Sequence, residues 1–191
     1  DGAVVGCVDL ADAVDETEKN LKRLYETLAL LDDYLAGPEP KGGKLPDDLK
    51  QEFAAHIDGW TVAMDDDLNT AAAIGQMNGL LHLINRVLDD KALRKNAEAR
   101  AALKDAREKF AVWGRVLGVG LLPPRDFLAE LKTCRARRKG IDPAQVQSLM
   151  QERQAARLAR DFAASDQLRD RLAALGVEVR DTPQGAVWDV T

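Results

Sequence analysis

Residues 64–71 read Met64-Asp65-Asp66-Asp67-Leu68-Asn69-Thr70-Ala71, three consecutive carboxylates set between two apolar runs. Upstream, Leu49, Phe53, Ile57, Trp60 and Met64 recur at three- and four-residue intervals; downstream, Ile74, Met77, Leu81, Ile84 and Leu88 do the same. Each run predicts an amphipathic helix, so the acidic octet marks the point where one helix stops and the next begins. A Mg²⁺ site is the rival reading, because acid-rich helical motifs can hold that ion between carboxylates and a phosphate. Consecutive helical residues point about 100° apart. Asp65, Asp66 and Asp67 therefore cannot all face one ion, and no second acidic cluster stands at a suggestive spacing. The geometry favours helix termination, with Asn69 or Thr70 capping the next helix and the acids near its positive end.

The same period governs the flanking sequence. Leu21, Leu24, Leu28, Leu31 and Leu35 define a long helix over about residues 10–36, closed by the loop Gly37-Pro38-Glu39-Pro40-Lys41-Gly42-Gly43. Leu103, Ala106, Phe110, Trp113 and Leu117 define a further helix ending near Gly118. Four helices with one apolar stripe each bury those stripes against one another, which predicts a four-helix bundle over residues 1–122.

After Leu122 the character changes. Pro123-Pro124 breaks the pattern, Phe127 to Leu131 form a short segment, and Lys132 to Gly140 form a basic run with no acid, so residues 123–141 read as a basic linker. Asp142-Pro143 is a cap followed by proline at the first helical position. The helix it opens continues through Val146, Leu149 and Met150. Asp161 is a second cap, with Phe162, Leu168, Leu172 and Leu175 as the buried side and Gly176 at the helix end. Val177 to Asp181 and Ala186 to Val190 alternate around Thr182-Pro183-Gln184-Gly185, which predicts a β-hairpin. A lone hairpin is marginal in water, so its Val177, Val179 and Trp188 face should pack on the preceding helix. The fold class is mainly α, a four-helix bundle followed by a small helix–helix–β-hairpin module over residues 142–191.

The chain has 191 residues, 46% of them hydrophobic and 31% charged, in keeping with a core-forming helical protein. Its net charge of −5 argues against nucleic-acid binding by bulk electrostatics alone, while leaving local patches and base readers open. Cys7 and Cys134 are isolated, so neither a disulfide framework nor cysteine-ligated zinc is expected, and a reducing cytoplasm is the expected setting. No apolar run reaches membrane-spanning length. The start at Asp1 is read as the sign of a piece of a longer protein.

His56 and His82 lack any metal or nucleophile spacing, and there is no glycine-rich phosphate loop. The richer constellation lies near the C-terminus. Arg153, Arg157 and Arg160 form a ridge at helical spacing, Phe162, Asp166 and Arg169 follow, and Asp181 and Trp188 come from the hairpin. One reading is a surface lattice of Arg–Asp pairs over an aromatic core. The other is a surface for unstacked RNA bases, which stack on aromatics or arginine planes and donate to carboxylates. Spacing alone does not choose between them.

The motifs do. Met64 to Thr70 resembles the M-D-D-D-[FL]-N-T signature of the helical domain in cysteinyl-tRNA synthetases, and Asn85-Arg86, Leu117-Gly118 and Phe127-Leu128 fit the same family. Arg153 to Leu172 is similar to the family run R-x-x-A-R-x-x-[KR]-[DN]-[FW]-x-x-[AS]-D-x-x-R-D-x-L, and Gly176 to Trp188 to its G-[IV]-x-[LV]-x-D-T-x-x-G-x-x-W ending. The resemblance covers residues 10–188; Gly2 to Val8 departs from the polar, proline-containing segment expected at the domain junction.

That resemblance implies a tRNA-binding bundle followed by a module that reads the anticodon, GCA for cysteine. Carried over by position, Arg157, Asp166 and Asp181 would hydrogen-bond anticodon bases. Phe162 would stack a base or wall the pocket, Arg169 would meet a phosphate or a pairing partner, and Trp188 would anchor the hairpin. The adenylate-forming strings and zinc ligands of the family do not occur in this sequence. No cofactor is therefore expected for these residues, whereas the parent ligase would use ATP, Mg²⁺ and a zinc ion. The expected partner is tRNA-Cys. A helical protein-interaction adaptor without tRNA affinity is the alternative, and a metal-dependent helical enzyme built on Asp65 to Asp67 is a third reading.

Overall fold

A computed structural model of the chain describes residues 10–182 and 185–190. The departing segment Gly2 to Val8, with Cys7, and the turn residues Pro183 and Gln184 lie outside the described residues. The chain divides into two compact units, Asp1–Phe127 and Leu128–Thr191.

In the first unit, α1 spans Leu10–Ala36, α2 Asp47–Asp65, α3 Thr70–Asp89 and α4 Ala97–Leu117, with a short 3₁₀ turn at Leu93–Lys95. Each helix contributes its stripe to one core, in which Leu31, Leu80, Ile84 and Leu103 are fully buried. Trp60 and Trp113 stack across α2 and α4 with ring centroids 5.0 Å apart and planes 10° from parallel, an arrangement that adds about 0.5–1.5 kcal/mol to the area it buries. The predicted stripes hold, with one correction. Ile74 is 48% exposed, because the inward positions at the start of α3 are Ala73 and Met77. Small residues set the approach of α2 to α3: a Cβ on Gly79 would lie 2.2 Å from His56 Cε1. The His56 ring thus rests on α3 backbone, with Nδ1 2.8 Å from Gln76 Oε1.

The acidic octet is a helix–helix corner. α2 ends at Asp65, Asp66 is its C-cap, and the Asp66 N–H bonds the Val62 carbonyl at 3.0 Å. Asp67 and Leu68 turn the chain in the left-handed region at φ 51° and 56°. Asn69 then caps α3 by accepting the Ala72 N–H at 3.1 Å. Asp65, Asp66 and Asp67 are all exposed, and among the described residues no group of three or more His, Cys, Asp or Glu could hold a metal ion. At the opposite end Asn96 caps α4 through the Ala99 N–H, 3.1 Å, and donates Nδ2–H to the Lys44 carbonyl, 2.7 Å. Asn85 is half-buried and has a structural partner: its amide and the Thr27 hydroxyl exchange hydrogen bonds of 3.0 and 3.3 Å.

Residues 123–141, expected as a linker, carry helix α5, Pro124–Arg138. Its first residues belong to the first unit, where Phe127 stacks on Tyr25 of α1 at 3.7 Å and Arg125 pairs with Asp33 at 2.6 Å. In the second unit the rest of α5 joins α6, Pro143–Leu158, α7, Phe162–Ala174, and an antiparallel hairpin of β1, Val177–Thr182, and β2, Gly185–Val190. Asp142 and Asp161 cap α6 and α7 by accepting the N–H groups of Ala144 and Ala164 at 2.9 and 3.0 Å. Gly176, at φ 78°, lets the chain leave α7 for β1.

The alternation of β1 sends Val177 and Val179 into a core with Ala136, Ile141, Val146, Leu149, Met150, Leu172 and Val190. Trp188, opposite Val179 in the register, packs half-buried against that core. Two members of the basic run take part: Lys132 Nζ lies 3.5 Å above the Trp188 ring, and Arg135 donates to the Val190 carbonyl at 3.2 Å. Burial lowers the Lys132 pKa against the opposing pull of Asp189. No helix among the described residues is long and apolar enough to cross a membrane.

Candidate nucleic-acid interface

On α6 the apolar positions Val146, Leu149 and Met150 continue, at the next turn, with Arg153. Helical spacing therefore drives this arginine inward, and it is only 5% exposed. A buried guanidinium needs a partner, and β1 supplies it. The two terminal nitrogens of Arg153 donate in parallel to Asp181 Oδ1 and Oδ2, both at 3.0 Å. Arg157, one turn along α6 and exposed, donates to the same Oδ2. The bonds from Arg153, and then that from Arg157, hold the Asp181 carboxyl at a pKa of about 2 against burial. Asp181 in turn raises the Arg153 pKa, and the field of Asp166 adds to that effect.

The spacing predicts a ridge of Arg153, Arg157 and Arg160, and the structure breaks it. Arg160 lies beyond the end of α6 with φ 60°, so it turns the chain into α7. Phe162, expected on the buried side of α7, is 64% exposed. It is the first residue after the Asp161 cap, where the helix has only begun to pack; Leu172 is buried, and Leu168 and Leu175 are partly so. Phe162, Asp166 and Arg169 then stand at i, i+4 and i+7, on one exposed stripe of α7.

The structure thus brings Arg153, Arg157 and Asp181 into one hydrogen-bonded cluster and sets Asp166 within its electrostatic reach. Trp188 stands apart as the hairpin's packing residue beneath Lys132. Arg153 is the cluster member that ridge reasoning undervalued; its place in the inward series was the available signal. Lys132 was hidden in a run read as linker.

Chemically, the cluster offers a planar donor in a fixed position. Asp181 gives both oxygens to arginines, so the group it presents outward is the Arg157 guanidinium, whose remaining N–H donors fit the acceptor edge of a base or a phosphate. Asp166 offers carboxylate acceptors, and Phe162 an exposed ring face.

Residues 59–122 match the DALR domain family, and residues 143–188 match the cysteinyl-tRNA ligase anticodon binding domain. The cysteine–tRNA ligases of Oleidesulfovibrio alaskensis and Nitratidesulfovibrio vulgaris are 47% and 50% identical to the chain over 179 residues. That of Lawsonia intracellularis is 36% identical over the same length. Each alignment covers 94% of this chain and 37% of the relative, so the chain spans little more than a third of the curated relatives it matches. With both domain matches in the order found here, and that identity running across both, the chain is similar to the cysteine–tRNA ligases over their C-terminal, anticodon-binding part.

Proposed function

We propose that the chain binds tRNA-Cys and discriminates its GCA anticodon by contacts from the second unit. The observation that carries this reading is the Arg157 guanidinium, fixed by Asp181, which is itself fixed by the buried Arg153. Preorganised donors lose little entropy when they meet a base. Arg157 supplies donors, Asp166 supplies acceptors for base amino and imino groups, and exposed Phe162 supplies a stacking face. Arg169, three residues beyond Asp166, meets a phosphate or a neighbouring acid. Asp181 acts through the arginine it orients, and Trp188 keeps the hairpin that carries Asp181 in place. A wrong base leaves one of these groups unpaired, at a cost of about 1–3 kcal/mol for each unmade hydrogen bond.

In a complete ligase of the cytoplasm, this discrimination would select the tRNA that receives cysteine in an ATP-dependent reaction. The zinc ion and Mg²⁺ of that reaction would belong to the complete ligase. No step is therefore assigned to these side chains beyond recognition.

The test is a salt-controlled titration of the chain with tRNA-Cys and with a copy altered at one anticodon base. Tighter binding of the unaltered tRNA is expected. Equal affinity for both overturns base reading, and no affinity for either returns the chain to a protein-interaction adaptor.

A further inference from the structure

Net charge argues against indiscriminate RNA binding by this chain, yet one concavity in the first unit gathers cations. It lies between two walls. One is the end of α1 with the following loop, Tyr34 and Gly37 to Lys41; the other is the turn between α3 and α4, with Lys91, Arg94 and Lys95. Lys41, Lys91, Arg94 and Lys95 are all exposed, and none has a carboxylate within ion-pair distance among the described residues. Of the two acids on the lining, Asp33 is already held by Arg125 at 2.6 Å, which leaves Glu39 against four cations.

The walls are bonded to each other. Arg100, on α4, donates to the carbonyls of Tyr34, Leu35 and Gly37 at 2.9, 2.6 and 2.9 Å, and its guanidinium sits 5.3 Å from the Tyr34 ring centroid. The Tyr34 hydroxyl donates to the Arg94 carbonyl at 2.9 Å. The Ala97 N–H bonds the Gly42 carbonyl at 2.8 Å, and Gly43, at φ 101°, lies so close that a Cβ there would meet Asn96 at 2.9 Å. The four cations therefore ride on a braced backbone rather than on a slack loop. Unpaired cations on a rigid concave frame cost stability through mutual repulsion, and the field they focus is complementary to a line of anions.

We infer that this cleft is a docking site for the phosphate backbone of RNA, with Lys41, Lys91, Arg94 and Lys95 as the contacts. The inference rests on the tRNA reading for its partner, but it concerns phosphates and no base. It contributes affinity without sequence choice, whereas the Arg157 cluster contributes choice.

The experiment measures affinity of the full chain for tRNA-Cys, and for the copy with an altered anticodon base, across a salt series. It compares wild type with Lys91→Ala/Lys95→Ala and with Lys91→Arg/Lys95→Arg. Removing one cation from a phosphate flattens the slope of log affinity against log salt by about 0.7–0.9. The alanine pair should therefore flatten it by about 1.5, equally for both tRNAs, and the arginine pair should keep the wild-type slope. A wild-type slope in the alanine pair, with tRNA still bound, overturns the inference and leaves base reading intact. Titration with oligouridylate, followed by lysine side-chain NMR signals, separates the cleft from any failure of anticodon reading. Shifts at Lys91 and Lys95 that vanish in the alanine pair support the RNA backbone as ligand. Shifts produced by inorganic phosphate alone, with none from oligouridylate, overturn it. Because the substituted side chains are exposed, the far-UV spectrum should not change.

Discussion

Arg153 and Asp181 face each other through two parallel hydrogen bonds of 3.0 Å, one partner 6% and the other 48% exposed at the side chain. The inner member is fixed by the packing of α6, and the outer member reaches the surface. Replacing Arg153 by lysine keeps the charge and removes the fork, so the carboxylate keeps at most one bond to it. The expected loss is about 1–3 kcal/mol in the unfolding free energy of the second unit, read by urea denaturation. Weaker discrimination between unaltered and altered anticodons should accompany it. Asp181→Ala should weaken binding of the unaltered tRNA more than of the altered one, and equal losses would mark Asp181 as purely structural.

The same pair fixes an acid limb. The Asp181 carboxyl titrates at about 2 in the folded protein, against an ordinary 3.8. A depressed folded pKa means that its stabilisation is complete above the ordinary value and is lost as pH falls from there toward 2. The stability gap between wild type and Asp181→Asn should therefore be constant from neutrality to about pH 5 and should close below it. A gap independent of pH down to the acid transition would contradict the pairing.

Phe162→Ala separates packing from recognition. With 64% of Phe162 exposed, stability should change by less than about 0.5 kcal/mol. Affinity for tRNA-Cys should fall by the about 1–3 kcal/mol typical of removing one base stack, and Phe162→Trp should retain it. An unfolding midpoint that drops while affinity holds would show the ring to be structural.

At the end of α4, Gly114 has no room for a side chain: a Cβ would lie 2.3 Å from the Val119 carbonyl oxygen, a backbone atom that cannot swing away. The chain is folded onto this glycine by the Val119 N–H bond to its carbonyl at 2.9 Å. Gly114→Ala should cost about 1–3 kcal/mol in spite of alanine's better helix propensity, measured by thermal unfolding. A stabilised variant would refute the contact.

Asn96→Ala removes a helix cap and the tie to Lys44 together. The expected loss is about 1–2 kcal/mol, with faster amide exchange at Ala99 as the local signature. Unchanged exchange there would show that the cap is dispensable.

Much of this was legible because the governing forces are local. The stripes of α2, α3 and α4 and the caps at Asn69, Asp142 and Asp161 depend on neighbours within a few residues, and the sequence carries those neighbours in plain order. The basic run escaped as a helix because it shows no apolar period; Ala136 is its one residue in the core of the second unit. Phe162 was misplaced because an aromatic at the first position of a helix satisfies the periodic pattern without reaching the core. The Arg157 cluster was legible as residues and not as geometry: the inward series of α6 singles out Arg153, but no local pattern says that it meets Asp181, 28 residues further on. The brace of Arg100 on Tyr34 joins residues 66 apart in sequence, a distance over which no local pattern speaks.

The three tryptophans give the molecule a built-in optical partition. Trp60 and Trp113 are stacked in the core of the first unit, and Trp188 lies in the hairpin of the second under a lysine ammonium 3.5 Å from its ring. The near-ultraviolet circular dichroism of the stacked pair therefore follows the first unit, whereas the fluorescence sums all three indoles and carries the second unit as well. A single denaturation series on the unlabelled protein can then record whether the two units melt together or in turn.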